Sequence, residues 1–406
     1  MLSEISVENL RSIKDAKIEV APITVLYGPN GSGKSTVMHA LAILREIVLN
    51  PNQPIESFFN LGFASFGGFE QVVYQHDTRR DITLEMGWQT TEKPYSGTYK
   101  IRLGLAPARF ELKVTHPFDM ALEVEARFPY AGNQRVRQSP LAGPNGCQNV
   151  VWNGMLAQPF GGLEDRESGE AATQLVALLN APIEFLRTTA FVHLKRGFSK
   201  PHYAPRSVGP CIATEDDVAA VLQQDHSLEE RVGHWLDQVF ARDFRVRPLA
   251  GTGFFALKTL DRQSRLSIEL VNDGFGINQV VYLLAVSLRG DTSWLCIEDP
   301  EIHLHPTGLR NLARAFVTLA KENAVKRLII STHSEHLVLA LLAAVSSGVL
   351  RPDELACYLC TKEKGESRFE RQRVNSKGQL EGGLSSFMEG ELEDLKDLLG
   401  IPGKGA

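Results

Sequence analysis

Apolar residues recur along this chain with two different periods, and the switches between them mark its elements. Leu2–Leu10 alternates apolar and polar positions, and 18–20 supplies a second short run, predicting a strand and its hairpin partner. The basic turn Asn9-Leu10-Arg11-Ser12 lies between them. Ile23–Tyr27 is nearly continuous in apolar residues, as a strand covered on both faces would be. From 36 to 44 the pattern predicts a helix that ends near Asn50-Pro51. Residues 52–68 are rich in Gly, Phe and Asn without a clear period, which predicts an ordered loop with short helical turns.

Beyond Asp81 the period returns to two. The runs 82–86, 99–103 and 121–126, punctuated by Pro and Gly, predict an antiparallel, partly exposed sheet inserted after the first helix. Helices are expected at 175–180, 216–224 and 228–240, and strands at 244–249, 254–260 and 266–271. A strongly apolar helix, 277–288, opens after Asn272-Asp273-Gly274-Phe275-Gly276. A short buried strand, 294–297, then runs into Glu298-Asp299. An amphipathic helix (308–322), a strand (327–331), a helix (336–345) and two strands (356–361, 369–374) follow. An acidic amphipathic helix over 385–399 comes last. No internal repeat and no sustained heptad pattern interrupts this series.

Composition narrows the picture only a little. With 406 residues, 43% hydrophobic and 22% charged, the chain is long enough for two or three domains of ordinary globular make-up. Its net charge of −5 means that any nucleic-acid surface must be local. No apolar run reaches bilayer length, and the N-terminus lacks a signal-peptide pattern. Five cysteines argue against a disulfide framework, so the cytoplasm is the expected compartment.

The chemistry begins at Gly28-Pro29-Asn30-Gly31-Ser32-Gly33-Lys34-Ser35, a G-x-x-x-x-G-K-S loop between a predicted strand and a predicted helix. In that context backbone N–H groups can turn inward around a phosphate, and the helix N-terminus adds positive potential. Lys34 can reach the β- and γ-phosphates and the Ser35 hydroxyl can ligate Mg²⁺. The strand tip Glu298-Asp299-Pro300-Glu301 can supply one carboxylate to the metal and a second to the attacking water; alternatively these are charges at a helix N-terminus. Ser331-Thr332-His333-Ser334 follows another buried strand, where a His can sense the γ-phosphate or the segment can simply cap a helix.

Taken in order, Asn-Leu-Arg-Ser, the phosphate loop, a Gly-rich helix start, E-D-P-E-I-H-L-H-P and I-S-T-H-S resemble the ABC-type ATPase heads. Within these the chain is similar to the SMC-like branch, and most closely to the AAA-type ATPases related to the overcoming-lysogenization-defect (OLD) family. The resemblance is close over about residues 1–50 and 265–340. It implies an α/β P-loop NTPase head that binds ATP and Mg²⁺ between two copies, each capping the nucleotide of the other. It assigns Lys34, Ser35 and neighbouring Thr36 to phosphate and metal, Arg11 to the nucleotide, Glu298 to the metal and Asp299 to the catalytic carboxylate. His333 becomes the switch histidine, and Gly274, Gly276, Asn278 and Gln279 the signature that acts in trans.

The implied layout is a first part of the ATPase core (1–80), an antiparallel β insert (81–155), a helical, signature-side lobe (156–264) and the second part of the core (265–406). Two departures stand out: the acidic pair is Glu then Asp rather than Asp then Glu, and Asn278 stands where relatives often carry Ser. No Q-loop glutamine is assigned; Gln71 and Gln174 carry no distinguishing signal. The SMC coiled-coil arm is missing. Met388-Glu389-Gly390-Glu391 resembles the start of an OLD-type Toprim nuclease domain, but no Asp-x-Asp follows, so no nuclease activity is expected from this chain.

Three other clusters have bland and sharp readings. His303 and His305 near Glu301 suggest a metal cluster, or a packed and capped segment. Cys357 and Cys360 have C-x-x-C spacing but lie in an apolar strand, which favours core packing. The basic stretch Arg187, His193, Lys195, Arg196, Lys200, His202 and Arg206 is either a solvated surface or a DNA contact. The expected function is an ATP-hydrolysing, nucleotide-driven homodimerisation switch, working with a separate effector in DNA repair or anti-phage defence. The alternative is a scaffold that binds ATP with negligible hydrolysis and regulates a partner protein. A transporter motor fits less well, given the degenerate signature and the long antiparallel segment.

Overall fold

The computed structural model describes residues 2–90, 95–116, 119–130, 141–143, 146–148, 150–159, 166–209, 214–322, 326–381 and 383. The helix expected at 385–399, and with it Glu389 and Glu391, lies outside the described residues.

The chain starts with β1 (Leu2–Leu10) and β2 (Ile13–Glu19), an antiparallel hairpin closed at Arg11-Ser12. It then enters β3 (Ile23–Tyr27), which leads through the phosphate loop into α1 (Lys34–Leu49). All five residues of β3 are buried, as expected of a strand flanked by parallel neighbours and covered on both faces. Helix α1 is apolar nearly all round because it is covered on two sides. It contacts β1 and β4 (Ile82–Gln89) on one side and the parallel strands of the second sheet on the other.

After β4 come β5 (Ser96–Leu103), β6 (Ala108–His116) and β7 (Met120–Ala126). These form one six-stranded antiparallel sheet in the order β2-β1-β4-β5-β6-β7. The segment expected as an insert from residue 81 therefore continues the sheet opened by the N-terminal hairpin, with Val7 opposite Leu84. Its alternation is real: β5 buries Gly97, Tyr99, Ile101 and Leu103 and turns the intervening residues outward.

Helix α2 (Arg166–Arg187) leads to β8 (Thr189–Val192), then α3 (Glu215–Gln224) and α4 (His226–Phe240). The small antiparallel sheet β9 (Arg242–Pro248), β10 (Phe255–Asp261) and β11 (Ser267–Glu269) follows. Next are α5 (Phe275–Ser287), β12 (Trp294–Glu298), α6 (Pro306–Glu322), β13 (Arg327–Thr332) and α7 (Glu335–Ser346). The hairpin β14 (Leu355–Glu363) and β15 (Glu366–Gln372) completes the second six-stranded sheet, ordered β8-β12-β13-β3-β14-β15. Its first five strands pair in parallel and β15 is antiparallel.

The expected division misses one strand. β8, placed by the sequence inside a helical lobe over 156–264, is the edge strand of this core sheet, with Phe191 opposite Cys296. Four residues are too few for a periodic signal, and only the pairing with β12 makes them a strand.

Two apolar clusters fix the layers. One joins the antiparallel sheet, α1 and α2, and the other joins the mixed sheet to α3–α7. Leu295 and Ile297 on β12 are fully buried, and each contributes about 1.5–3 kcal/mol relative to exposure. The consequence for chemistry is positional. β3, β12 and β13 are adjacent and parallel, so their C-terminal ends, carrying residues 28, 299 and 333, open at the same edge.

Candidate functional site

The phosphate loop leaves β3 at Gly28, whose φ of +142° and close approach to the Cys360 carbonyl exclude any side chain; a Cβ there would sit 2.1 Å from that oxygen. Pro29, Asn30 and Gly31 form the exposed tip, while Ser32 and Lys34 are buried. The Lys34 ammonium donates to Gly28 O at 2.9 Å and Pro29 O at 2.8 Å, and lies 3.4 Å from both Ser32 Oγ and His333 Nδ1. Burial lowers its pKa. Gly33 N-caps α1 in a left-handed conformation, and Thr36 N–H bonds back to its carbonyl at 3.0 Å.

The acidic turn faces this loop. Glu298 meets His39 Nε2 of α1 at 2.7 Å, accepts the Leu194 N–H at 3.2 Å and neighbours the Ser35 hydroxyl. Burial pushes its carboxyl up, but the adjacent His39 ring, the Leu194 N–H and the nearby Ser35 outweigh that and leave its pKa below the ordinary value. Asp299 has φ +39° and donates its N–H to Ser331 O at 3.0 Å, while its Oδ1 is 3.8 Å from His333 Nε2. Burial and the neighbouring Glu298 raise its pKa against the pull of Lys34 and Arg196. His333 is anchored from behind: its N–H donates to Glu301 Oε1 at 2.6 Å. Burial, then Lys34, lowers its pKa and favours the neutral ring.

A cavity of about 560 Å³ opens beside the loop, within the size range of small-ligand sites. Its wall includes Arg11, Lys34, Thr36, Tyr74, His333 and Lys362. Arg11 has its Nη1 3.5 Å from Thr36 Oγ1, and its guanidinium covers the Phe66 ring at 4.9 Å. Gln71 also lines the cavity, its Oε1 bonded to the Gly68 N–H, whereas Gln174 is exposed on α2. Sequence reasoning missed His39, Glu301, Arg196 and Lys362 as parts of this site. A histidine in an otherwise apolar helix was a signal for His39. Glu301 was visible only within its motif, and nothing local marked the other two.

The signature assignment changes. Gly274 caps α5, Gly276 lies against the His303 carbonyl and Phe275 is 76% exposed. Asn278, however, is buried with its amide fully committed: Oδ1 accepts the Phe198 N–H at 2.7 Å and Nδ2 donates to Phe198 O at 2.8 Å. Gln279 Oε1 is also buried. A side chain engaged this way cannot reach out to a second copy, so Asn278 is a structural tie.

The basic stretch also changes character. Arg187 pairs with Glu184, Lys200 with Asp216 and Arg206 with Asp217, and Arg196 is buried, its guanidinium lowered by desolvation to about 10. Much of the charge of this stretch is thus paired within the chain, while Lys195 is exposed. Glu301, His303 and His305 do not converge: Glu301 turns to His333, the His303 ring lies by Phe275 and His305 Nδ1 faces the Thr307 N–H. Cys357 and Cys360 are buried free thiols on β14. Among the described residues no helix is long and apolar enough to cross a membrane.

Residues 1–70 and 224–338 match the model of the AAA ATPase domain. A comparison with curated proteins gives no match. Among solved structures, an SMC head bound to the C-winged helix domain of ScpA is similar, with a TM-score of 0.54 at 10% identity, covering 92% of this chain and 98% of that one. The SMC head domain from Thermotoga maritima aligns with a TM-score of 0.44 at 11% identity over 92% and 99% of the two chains. An SMC head with an extended coiled coil, derived from Pyrococcus furiosus, aligns at 0.49 and 9% over 98% and 99%. The fold is similar to that of an SMC head, and the AAA ATPase domain model matches two stretches of the chain that carry the phosphate loop, the acidic turn and His333.

Proposed function

We propose that this chain binds ATP with Mg²⁺ in the cavity beside the phosphate loop, hydrolyses it, and uses the bound nucleotide to close a homodimer. The observation that carries the reading is the convergence of Lys34, Glu298, Asp299 and His333 from three neighbouring parallel strands. Ser35 and Glu298 are neighbours, and two hard oxygen donors side by side fit a Mg²⁺ site. When bound, Mg²⁺ neutralises charge on the β- and γ-phosphates.

The chain's own residues do the rest. Loop N–H groups and Lys34 bind the phosphates, and Arg11 closes the side of the cavity. Asp299, partly desolvated and therefore more basic, orients the attacking water. His333, neutral and held by Glu301, offers a donor or acceptor toward the γ-phosphate. Phe275 and the N-terminus of α5 form the surface that meets the second copy. By analogy with the OLD-like ATPases and the ScpA-bound SMC head, the closed dimer acts on a separate effector, in DNA repair or defence.

A second reading, a nucleotide sensor with negligible turnover, is favoured by one observation. Asp299 is a shorter acid than the usual Glu, and its nearest oxygen stays 3.8 Å from His333. Phosphate release from purified protein with and without Mg²⁺ separates the two: sustained Mg²⁺-dependent release supports hydrolysis, and binding without release supports the sensor.

A further inference from the structure

Between β8 and the next helix the chain makes a tight strap, residues 193–198, with Arg196 N–H bonded to Leu194 O at 3.1 Å. Arg196 is only 9% exposed and points into the acidic turn. Its Nη1 donates to Glu298 O at 2.6 Å and to His193 O at 3.3 Å, and its Nη2 donates to Asp299 O at 2.8 Å. One planar fork thus grips two successive carbonyls, a geometry that an ammonium cannot reproduce. Burying a cation is costly unless its donors are satisfied, so this placement needs those carbonyls.

The gripped turn is the strained one. Asp299 at φ +39° holds a positive backbone angle that few residues with a side chain adopt, a conformation that persists only when neighbours hold it. The other end of the strap is tied as firmly. Gly197, at φ +119°, lets the Asn278 amide approach; a Cβ there would sit 2.8 Å from Asn278 Oδ1. Asn278 then clamps both backbone groups of Phe198 and also reaches Leu270 O at 3.4 Å. Asn278 belongs to the first turn and a half of α5, whose start carries the exposed Phe275.

We propose that Arg196 is the positioning residue for the Glu298–Asp299 turn, and that its strap couples this turn to the N-terminal end of α5 through Asn278. The catalytic consequence rests on the ATPase reading above; the mechanical link does not. Any shift of α5 on meeting a second copy is transmitted through two hydrogen-bonded junctions to the carboxylate that orients water.

The test uses the full chain and the variants Arg196→Gln, Arg196→Lys and Asn278→Ala, each shown folded by its thermal melt. Hydrogen exchange is followed over residues 298–304, together with kcat and KM for ATP. Arg196→Gln is expected to speed exchange over 298–304 and to lower kcat about 10²-fold with KM nearly unchanged, as for a misplaced reacting group. Arg196→Lys, which keeps a donor for one carbonyl, should fall between. Asn278→Ala touches neither Glu298 nor Asp299, yet should also speed exchange over 298–304. The Arg196→Gln/Asn278→Ala double variant should be no slower than Arg196→Gln alone.

Exchange over 298–304 that stays at the wild-type rate in Asn278→Ala overturns the coupling. A raised KM with unchanged kcat in Arg196→Gln overturns the positioning role. If the wild type binds ATP but does not turn it over, the ATPase reading fails, and the exchange rates alone decide the link.

Discussion

Lys34 Nζ lies 3.4 Å from His333 Nδ1, although 299 positions separate the two residues in sequence. The contact follows from sheet order: β3 and β13 are parallel neighbours, with Tyr27 opposite Thr332, so each chain turns into its functional segment at the same level. Lys34 is consequently poised between the loop carbonyls and His333.

Lys34→Ala removes the one ammonium inside the loop. It should lower ATP turnover by about 10²-fold or more, with nucleotide binding weakened as well. Fluorescent-nucleotide titration and phosphate release check this; unchanged affinity and turnover would defeat the site assignment.

His39 supports Glu298 from α1 at 2.7 Å. Partners of metal-binding carboxylates typically tune affinity by 10–100-fold, so His39→Ala should raise the Mg²⁺ concentration for half-maximal turnover about tenfold. His39→Gln, which keeps an N–H donor, should recover most of it. A Mg²⁺ requirement identical to wild type in His39→Ala would leave His39 as a packing residue.

Phe275 is 76% exposed at the start of α5, so its replacement should not disturb the monomer. If this surface meets a second copy, Phe275→Asp should weaken the ATP-dependent dimer about 30-fold or more, the effect of losing an aromatic anchor. Light scattering with ATP and Mg²⁺ measures it. A dimer fraction equal to wild type would place the interface elsewhere.

The alkaline limb of stability gives an independent check on β14. Burial pushes the Cys357 and Cys360 thiols up to about 12 from 9. Below about pH 9 both are protonated in folded and unfolded chains alike. Between about 9 and 12 the unfolded chain loses these protons while the folded one keeps them, so stability falls with rising pH, by up to about 1.4 kcal/mol per pH unit for each thiol. Urea unfolding from pH 8 to 11 should show a shallower slope in Cys357→Ala/Cys360→Ala than in wild type; parallel slopes would show that these thiols ionise when folded.

What the sequence disclosed and what it hid have a common physical cause. Lys34, Glu298, Asp299 and His333 were legible because each follows a buried strand whose apolar run is long enough to recognise. α6 was legible because its period is strong, and α5 because its apolar run is long. β8 was not, since four residues carry no period and only pairing with β12 defines them. That β4 pairs with β1 was hidden as well, because alternation within a strand does not reveal which strand it pairs with. Arg196 and Asn278 were read as a surface cation and a signature residue. Their burial depends on the strap after β8, which the sequence did not mark as a strand end.

Hydrolysis in this site turns on Asp299. Phosphate release at saturating ATP and Mg²⁺ should be about 10²–10⁴-fold slower for Asp299→Asn than for wild type, because an amide cannot take the proton of the attacking water. Lys34 and Glu298 are untouched in this variant, so nucleotide affinity should stay nearly the same. Phosphate release by Asp299→Asn at the wild-type rate would contradict the account directly.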